Sequence, residues 1–294
     1  MGKSREIQKR MKAVGNIRRI TRTMQMIATS KFARAQTAAT ASKPYTSALL
    51  ELVSEIGSRA DEGAHPLLGR SPTKVGREAT LVITSDRGLC GPYNGNLIRL
   101  AMRHLRENEA ALNGVIEVVG KKGAIALDFN KFNVATQHTQ FGDKPRYEEV
   151  ERLGQHYIDM LVKGEVDAVR VVYMKYLSAG KQAATVLQLA PFDTSEPNTG
   201  DEAKPGKATA AYEFSPDAEV LLGDLLPAAV KAVLFQCFND AVVSEHVARM
   251  VAMKSATDNA GKMRKALQQK FNRARQSQIT TELTEIISGA AALE

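Results

Sequence analysis

Glycines 88, 91 and 95 stand in Ser85-Asp86-Arg87-Gly88-Leu89-Cys90-Gly91-Pro92-Tyr93-Asn94-Gly95-Asn96, between an apolar strand-like run, Leu81-Val82-Ile83-Thr84, and a helical segment. A glycine-rich turn from strand to helix is where a fold cradles phosphate, because small residues let backbone N–H groups close on an anion. The spacing here fits neither G-x-G-x-x-G nor a Walker loop, and the next strand ends in Gly120-Lys121-Lys122, with no carboxylate for a ribose. A structural turn accounts for these residues better than a bound dinucleotide. The five histidines (65, 104, 138, 156 and 246) show no metal-ligand spacing, and neither G-x-S-x-G nor H-E-x-x-H occurs. Cys90 and Cys237 have no local partner and suit a reducing cytoplasm; Cys237, between apolar neighbours, reads as a buried core thiol. No catalytic residue, metal ligand or cofactor is expected in this chain.

The charge that could do work is positive and unevenly placed. The net charge is +8; residues 1–34 hold ten Lys or Arg against Glu6 alone, and residues 249–275 hold eight against Asp258 alone, which leaves the remainder of the chain at −8. Two like-charged helices gain nothing from pairing with each other, so an acidic partner around them is the economical explanation. Basic patches also suit a nucleic acid, but aromatic residues are only 5% of the chain and do not interleave with the bases. No run of eighteen apolar residues occurs, so no membrane span is expected, and no apolar segment follows the basic N-terminus, so no secretory signal is expected either.

The elements that carry these charges are long. Apolar or small residues recur every three or four places at Ile7, Met11, Val14, Ile17, Met24, Ala28, Phe32, Ala35, Ala39, Ser42, Tyr45, Leu49, Leu52 and Ile56, the seam of a coiled coil. Pro44 predicts a kink near Lys43, and the helix is expected to end near Gly57, before a polar loop with Pro66 and Pro72. Strand-like runs at Thr80–Thr84, Val115–Val119, Phe132–Ala135, Ala168–Tyr176 and Ala183–Leu189 alternate with helical runs near Asn96–Glu107, Lys121–Asp128 and Tyr147–Val162. That order predicts a mostly parallel sheet whose last two strands form a hairpin over Ser178-Ala179-Gly180. After a loop at 191–211, Ser215 as N-cap and Pro216 at the first helical position open a second long helix, with Pro227 starting it afresh.

The fold class expected is therefore α/β plus a long antiparallel two-helix coiled coil formed by the N- and C-terminal helices, around a Rossmann-like α/β middle. The boundaries are 1–58, 59–212 and 213–294. Counting equal rise from both helix ends sets Met1 beside about residue 273 and Pro44 beside about residue 230, with roughly 20 C-terminal residues projecting beyond the pair. The stretch Met250–Gly261 is small and polar where a seam should be apolar, and this count sets it against Met11–Met24. It reads as a close backbone approach, or as a level shaped for a partner with Met24 and Met26 as adaptable contacts.

Thr21–Lys31 (TRTMQMIATSK), Ser85–Gly91 (SDRGLCG), Glu245–Gly261 and Ala274–Ile286 (ARQSQITTELTEI), in that order, resemble the signatures of the gamma subunit of the F-type rotary ATP synthase. The similarity runs essentially the full length, without the cysteine-bearing redox insert of chloroplast members. It implies a noncatalytic central-stalk rotor subunit that couples ion flow to ATP synthesis. Its paired helices would lie inside a ring of alternating alpha and beta subunits, and its α/β domain against the epsilon subunit and the membrane rotor ring of c subunits. Nucleotide and magnesium would sit in alpha and beta, with no cofactor and no nucleic acid bound by this chain. The complex would be peripheral on the cytoplasmic face of the bacterial inner membrane. By family position Arg249, Gln276 and Thr280 correspond to beta-contacting shaft residues. Arg275, Glu282 and Thr284 follow as further carry-overs, and Met24 falls at the beta-facing turn.

Overall fold

A computed structural model describes residues 2–57, 65–69, 75–192 and 218–291. The expected N-cap at Ser215, Pro216 and most of the 191–211 loop lie outside the described residues, as does Pro72. The elements run α1 (Gly2–Gly57), β1 (Glu78–Ile83), α2 (Tyr93–Glu107), α3 (Glu109–Leu112), β2 (Val115–Val119), α4 (Lys121–Phe129), β3 (Val134–His138), α5 (Tyr147–Val162), β4 (Ala168–Ser178), β5 (Lys181–Ala190) and α6 (Ala218–Ala291). The chain divides into two units, one of Met1–Ser30 with Arg249–Glu294 and one of Lys31–Ala248.

In the larger unit a five-stranded sheet has the order β3-β2-β1-β4-β5. β1 pairs in parallel with both β2 and β4, β2 in parallel with β3, and β4 turns back antiparallel into β5 through Ser178↔Lys181, as the hairpin reading expects. β1 is buried along its whole length, as a central parallel strand covered on both faces must be. One face packs on α2 and α4 through Val82, Leu97, Leu105, Val118 and Leu127. The other packs on α1, α5 and α6 through Leu49, Val53, Leu81, Tyr157, Val171, Leu226 and Leu234. Cys237 belongs to this second cluster, as its apolar neighbours imply. By length and composition alone α6 could cross a membrane, since an 18-residue window within Val220–Gly289 reaches a mean hydropathy of 1.6. Its apolar residues Leu222 to Ala241 instead form the core beneath the sheet.

Both prolines expected to interrupt a helix lie inside continuous ones, Pro44 in α1 and Pro227 in α6. Each removes one backbone hydrogen bond from a helix whose flanks, Thr46 and Leu49 or Leu226 and Ala229, are buried and hold the axis. The short α3 was not expected; four residues are too few to show a period.

In the smaller unit two helical segments run antiparallel. The Ser4 hydroxyl donates to Gln278 Oε1 at 3.0 Å, and the Thr257 hydroxyl to Thr21 Oγ1 at 2.8 Å. Equal-rise counting put Ser4 about two turns away, because it assumed that the two helix ends lie level. In the larger unit Ser42 donates to Gln236 Oε1 at 2.7 Å, so Pro44 and Pro227 are not level either. The Met250–Gly261 stretch meets α1 at Thr21 and Arg18, inside the expected Met11–Met24 zone. The seam departs from the apolar list in the same systematic way. Ile17, Tyr45 and Leu52 are 52%, 62% and 47% exposed, while Thr46 and Val53 are buried. Strict alternation of three and four residues sends the inward face through Thr21, Thr46 and Val53, and an apolar neighbour one position away does not override that period.

Candidate partner-binding surface

The smaller unit is built so that its charges stay outside. Val14, Ala28, Met253, Thr257 and Ala260 are buried, whereas Arg18, Arg19, Arg22, Lys262, Arg264 and Lys265 are exposed. The exposed Arg18 lies alongside Gly261, where a Cβ would meet its Nε at an ordinary contact distance of 3.7 Å. Within this pair Arg10 bonds to Glu6 one turn away on its own helix, at 2.7 Å, an exposed pair that neutralises little of the excess.

The candidate contact residues fall into two groups. Arg275, Gln276, Thr280, Glu282 and Thr284 are all exposed within three turns of α6. The Thr280 hydroxyl donates to the Gln276 carbonyl at 3.0 Å and the Thr284 hydroxyl to the Thr280 carbonyl at 2.9 Å, so both hydroxyls are turned onto their own helix. Glu282 accepts from Gln278 Nε2 at 2.9 Å. Met24 and Arg249 are half-buried and lie elsewhere, because Ser4 rather than Met24 stands beside Gln278. Twenty residues of helix separate Ser4 from Met24, about 30 Å at 1.5 Å per residue, so the seven residues do not form one patch.

Sequence reasoning missed an apolar stripe on the same stretch. Ile279, Leu283, Ile286 and Ile287 are all exposed, Ile286 by 70%. Their i, i+4, i+7, i+8 spacing was legible, and only the helix register shows that they fall past Ser4, where α1 is ending.

In the larger unit the glycine-rich turn is tied to itself and to its neighbours. Ser85 N–H donates to Asn94 Oδ1 at 3.1 Å, and the Ser85 hydroxyl to the Arg87 carbonyl at 2.7 Å. Lys121 N–H at the start of α4 donates to Asp86 Oδ1 at 3.0 Å, and Gly123 N–H to Thr84 Oγ1 at 2.9 Å. Asp86 thus already supplies negative charge where a phosphate would meet that helix N-terminus. Beside the turn lies a cavity of about 220 Å³ lined by Thr84, Arg87, Gly120, Phe141, Asp143 and Glu245 among others. Asp143, Glu245 and His246 bring ligand-type atoms within 4.8 Å of one another, a grouping invisible to local spacing because the loop and the helix are a hundred residues apart. Lys31 Nζ already donates to Asp143 Oδ2, putting an ammonium where a metal cation would bind.

A family profile described as ATP synthase matches residues 3–293. The ATP synthase gamma chain of Rhodopirellula baltica is 41% identical over 297 residues, covering 100% of both chains, and that of Leptospira biflexa is 36% identical over 294 residues, again covering both completely. The chain belongs to the gamma-chain family of the F-type ATP synthase. As a gamma-family chain it is a subunit of an enzyme complex. Among solved structures it is similar to a chain of the Euglena gracilis mitochondrial ATP synthase OSCP/F1/c-ring assembly, with TM-score 0.64, 18% identity and coverage of 99% of this chain and 95% of that one. A chain of the Euglena gracilis rotor matches at TM-score 0.61 and 18% identity, covering 95% and 99%. At that identity the likeness is one of fold.

Proposed function

We propose that this chain is the noncatalytic central-stalk rotor of its ATP synthase. Residues 1–58 and 213–294 serve as the shaft inside a ring of alternating alpha and beta subunits. Residues 59–212 serve as the base that meets the epsilon subunit and the c-subunit ring, on the cytoplasmic face of the bacterial inner membrane. Nucleotide and magnesium are then held by alpha and beta. The observation that carries this reading is the pair of basic helical segments in the smaller unit, locally +7 over residues 1–30 and +7 over 249–275, with most of the described arginines and lysines exposed. Exposed charge of one sign on both helices is a cost until an acidic surface surrounds it. Arg275, Gln276, Thr280, Glu282 and Thr284 are the proposed contacts to beta at the far end, and Met24 and Arg249 at the nearer level.

The test is co-purification and reconstitution. The expected result is a complex containing alpha and beta in fixed ratio to this chain, with rotary ATPase activity that neither this chain nor nucleic acid supplies. ATP hydrolysis by the isolated chain, micromolar ATP binding to it, or recovery with nucleic acid in place of alpha and beta would each overturn the reading.

A further inference from the structure

Asp143 gathers basic side chains from three separate parts of the larger unit. From α1, Lys31 Nζ donates to Asp143 Oδ2. From α6, His246 Nε2 stands 4.0 Å from Asp143 Oδ1, with the His246 side chain only 2% exposed. From the turn after β1, the charge of Arg87 also acts on this carboxylate. Burial by itself raises the Asp143 pKa, but the bond and charge of Lys31, then the charges of His246 and Arg87, outweigh it and hold the carboxyl below its usual range. The carboxylate is therefore ionised at neutral pH even though Glu245 lies in the same cluster. Lys31 and His246 also sit near the two ends of the unit's chain span, Lys31–Ala248, where α1 and α6 enter and leave it.

We propose that Asp143 is a positioning residue, a brace that fixes α1 and α6 against rotation relative to the sheet so that torque passes between sheet and helices without twist. The proposal rests on the rotor reading above. α1 is held to the sheet side by apolar packing at Leu49, Val53 and Ile56, and nearer its N-terminal end by the Phe32 ring tilted against Tyr176 of β4 at 6.4 Å between centroids. Apolar contacts slide more readily than they separate, because dispersion and burial are non-directional. The carboxylate adds directional bonds about five turns N-terminal to Leu49, where a small slip about the helix axis breaks them.

The experiment uses the reconstituted catalytic complex with its ring immobilised and a probe fixed to the sheet domain, and reads the spread of angles at each pause. Asp143→Asn and Lys31→Met should each broaden that spread while subunit ratio, pause angles and hydrolysis rate stay those of the wild type. The double variant should be no broader than either single one, as expected for two residues acting through one bond. Asp143→Glu should restore the wild-type spread. Asp143 is 49% exposed, so the Asn variant should fold, and thermal melting of the free chain checks that it does. An unchanged spread in Asp143→Asn, or additive broadening in the double variant, overturns the brace. A wild-type chain that assembles no rotating complex overturns the rotor reading instead.

Discussion

Replacing Arg18, Arg19 and Arg22 with glutamine separates two roles that charge could have on α1. All three side chains are exposed, and the contacts they make within the chain are slight: Arg19 reaches Asn16 at 3.4 Å on its own helix, and Arg18 lies over Gly261. Glutamine keeps the helix propensity and most of the aliphatic stem. The local charge of residues 1–34 falls from +9 to about +6, relieving repulsion worth only tenths of a kcal/mol per pair. The free chain should therefore melt within about 3 °C of the wild type. Against an acidic partner the balance differs. Three lost attractions at about 0.5–1 kcal/mol each amount to about 1.5–3 kcal/mol, or roughly 10- to 100-fold on whichever step depends on them. Membrane vesicles assayed for complex content, ATP hydrolysis and ion-driven synthesis should show normal assembly, synthesis reduced about tenfold or more, and a flatter dependence on salt. Normal synthesis at normal assembly would mean that these arginines are solvated charge and that the electrostatic reading of the helix pair is wrong.

Hydrogen exchange on the free chain should be early over residues 279–291, where α6 has passed Ser4 and its apolar stripe is exposed, because a helix without a packing partner frays; protection there equal to that of Leu226–Leu234 would contradict an unpaired end. Gly120→Ala should cost about 2–3 kcal/mol and lower the melting temperature by about 5–10 °C, since Gly120 has φ +88 and a Cβ there would stand 2.4 Å from the Thr84 carbonyl oxygen; a loss under about 0.5 kcal/mol would show that the turn adapts. Glu117 is buried, which by itself raises its pKa, yet hydrogen bonds with His138 and Tyr157 reverse the sign and hold it below the usual range. A carboxyl depressed in the fold adds stability above its unfolded pKa and loses it as pH falls through the folded value, so acid titration below about pH 4 should destabilise the wild type more steeply than Glu117→Gln; equal acid slopes would refute this.

Periodicity made the long helices and the sheet legible because it is a local property: three-four alternation marks α1, and short apolar runs between turn residues mark β1, β2, β4 and β5, whereas the largely exposed edge strand β3 shares only Val134 and Ala135 with the run Phe132–Ala135. Val115–Val119 and Tyr147–Val162 have the bounds that pattern alone assigns. What pattern could not carry was register. Nothing in either helix states how far α6 runs before it meets Gly57, so the pairing of Ser4 with Gln278 came two turns from its expected place. The inward choice between Tyr45 and Thr46, or Leu52 and Val53, follows from the superhelical period rather than from which residue is larger or more apolar.

The same limit applies to function. Charge at the two ends was readable by counting, and the family signatures are contiguous strings. The cluster at Asp143 joins residues from α1, the loop after β3 and α6, so no window of sequence contains it. His246 looked like an isolated histidine for that reason. A group whose neighbours are supplied by remote elements acquires a role only once the sheet order and helix packing bring those elements together, and α1 reaches Asp143 only because it stays helical through Pro44 and keeps Lys31 in phase with Leu49 and Val53. The continuity of that proline-containing helix is thus a condition for the brace as well as for the core beneath it.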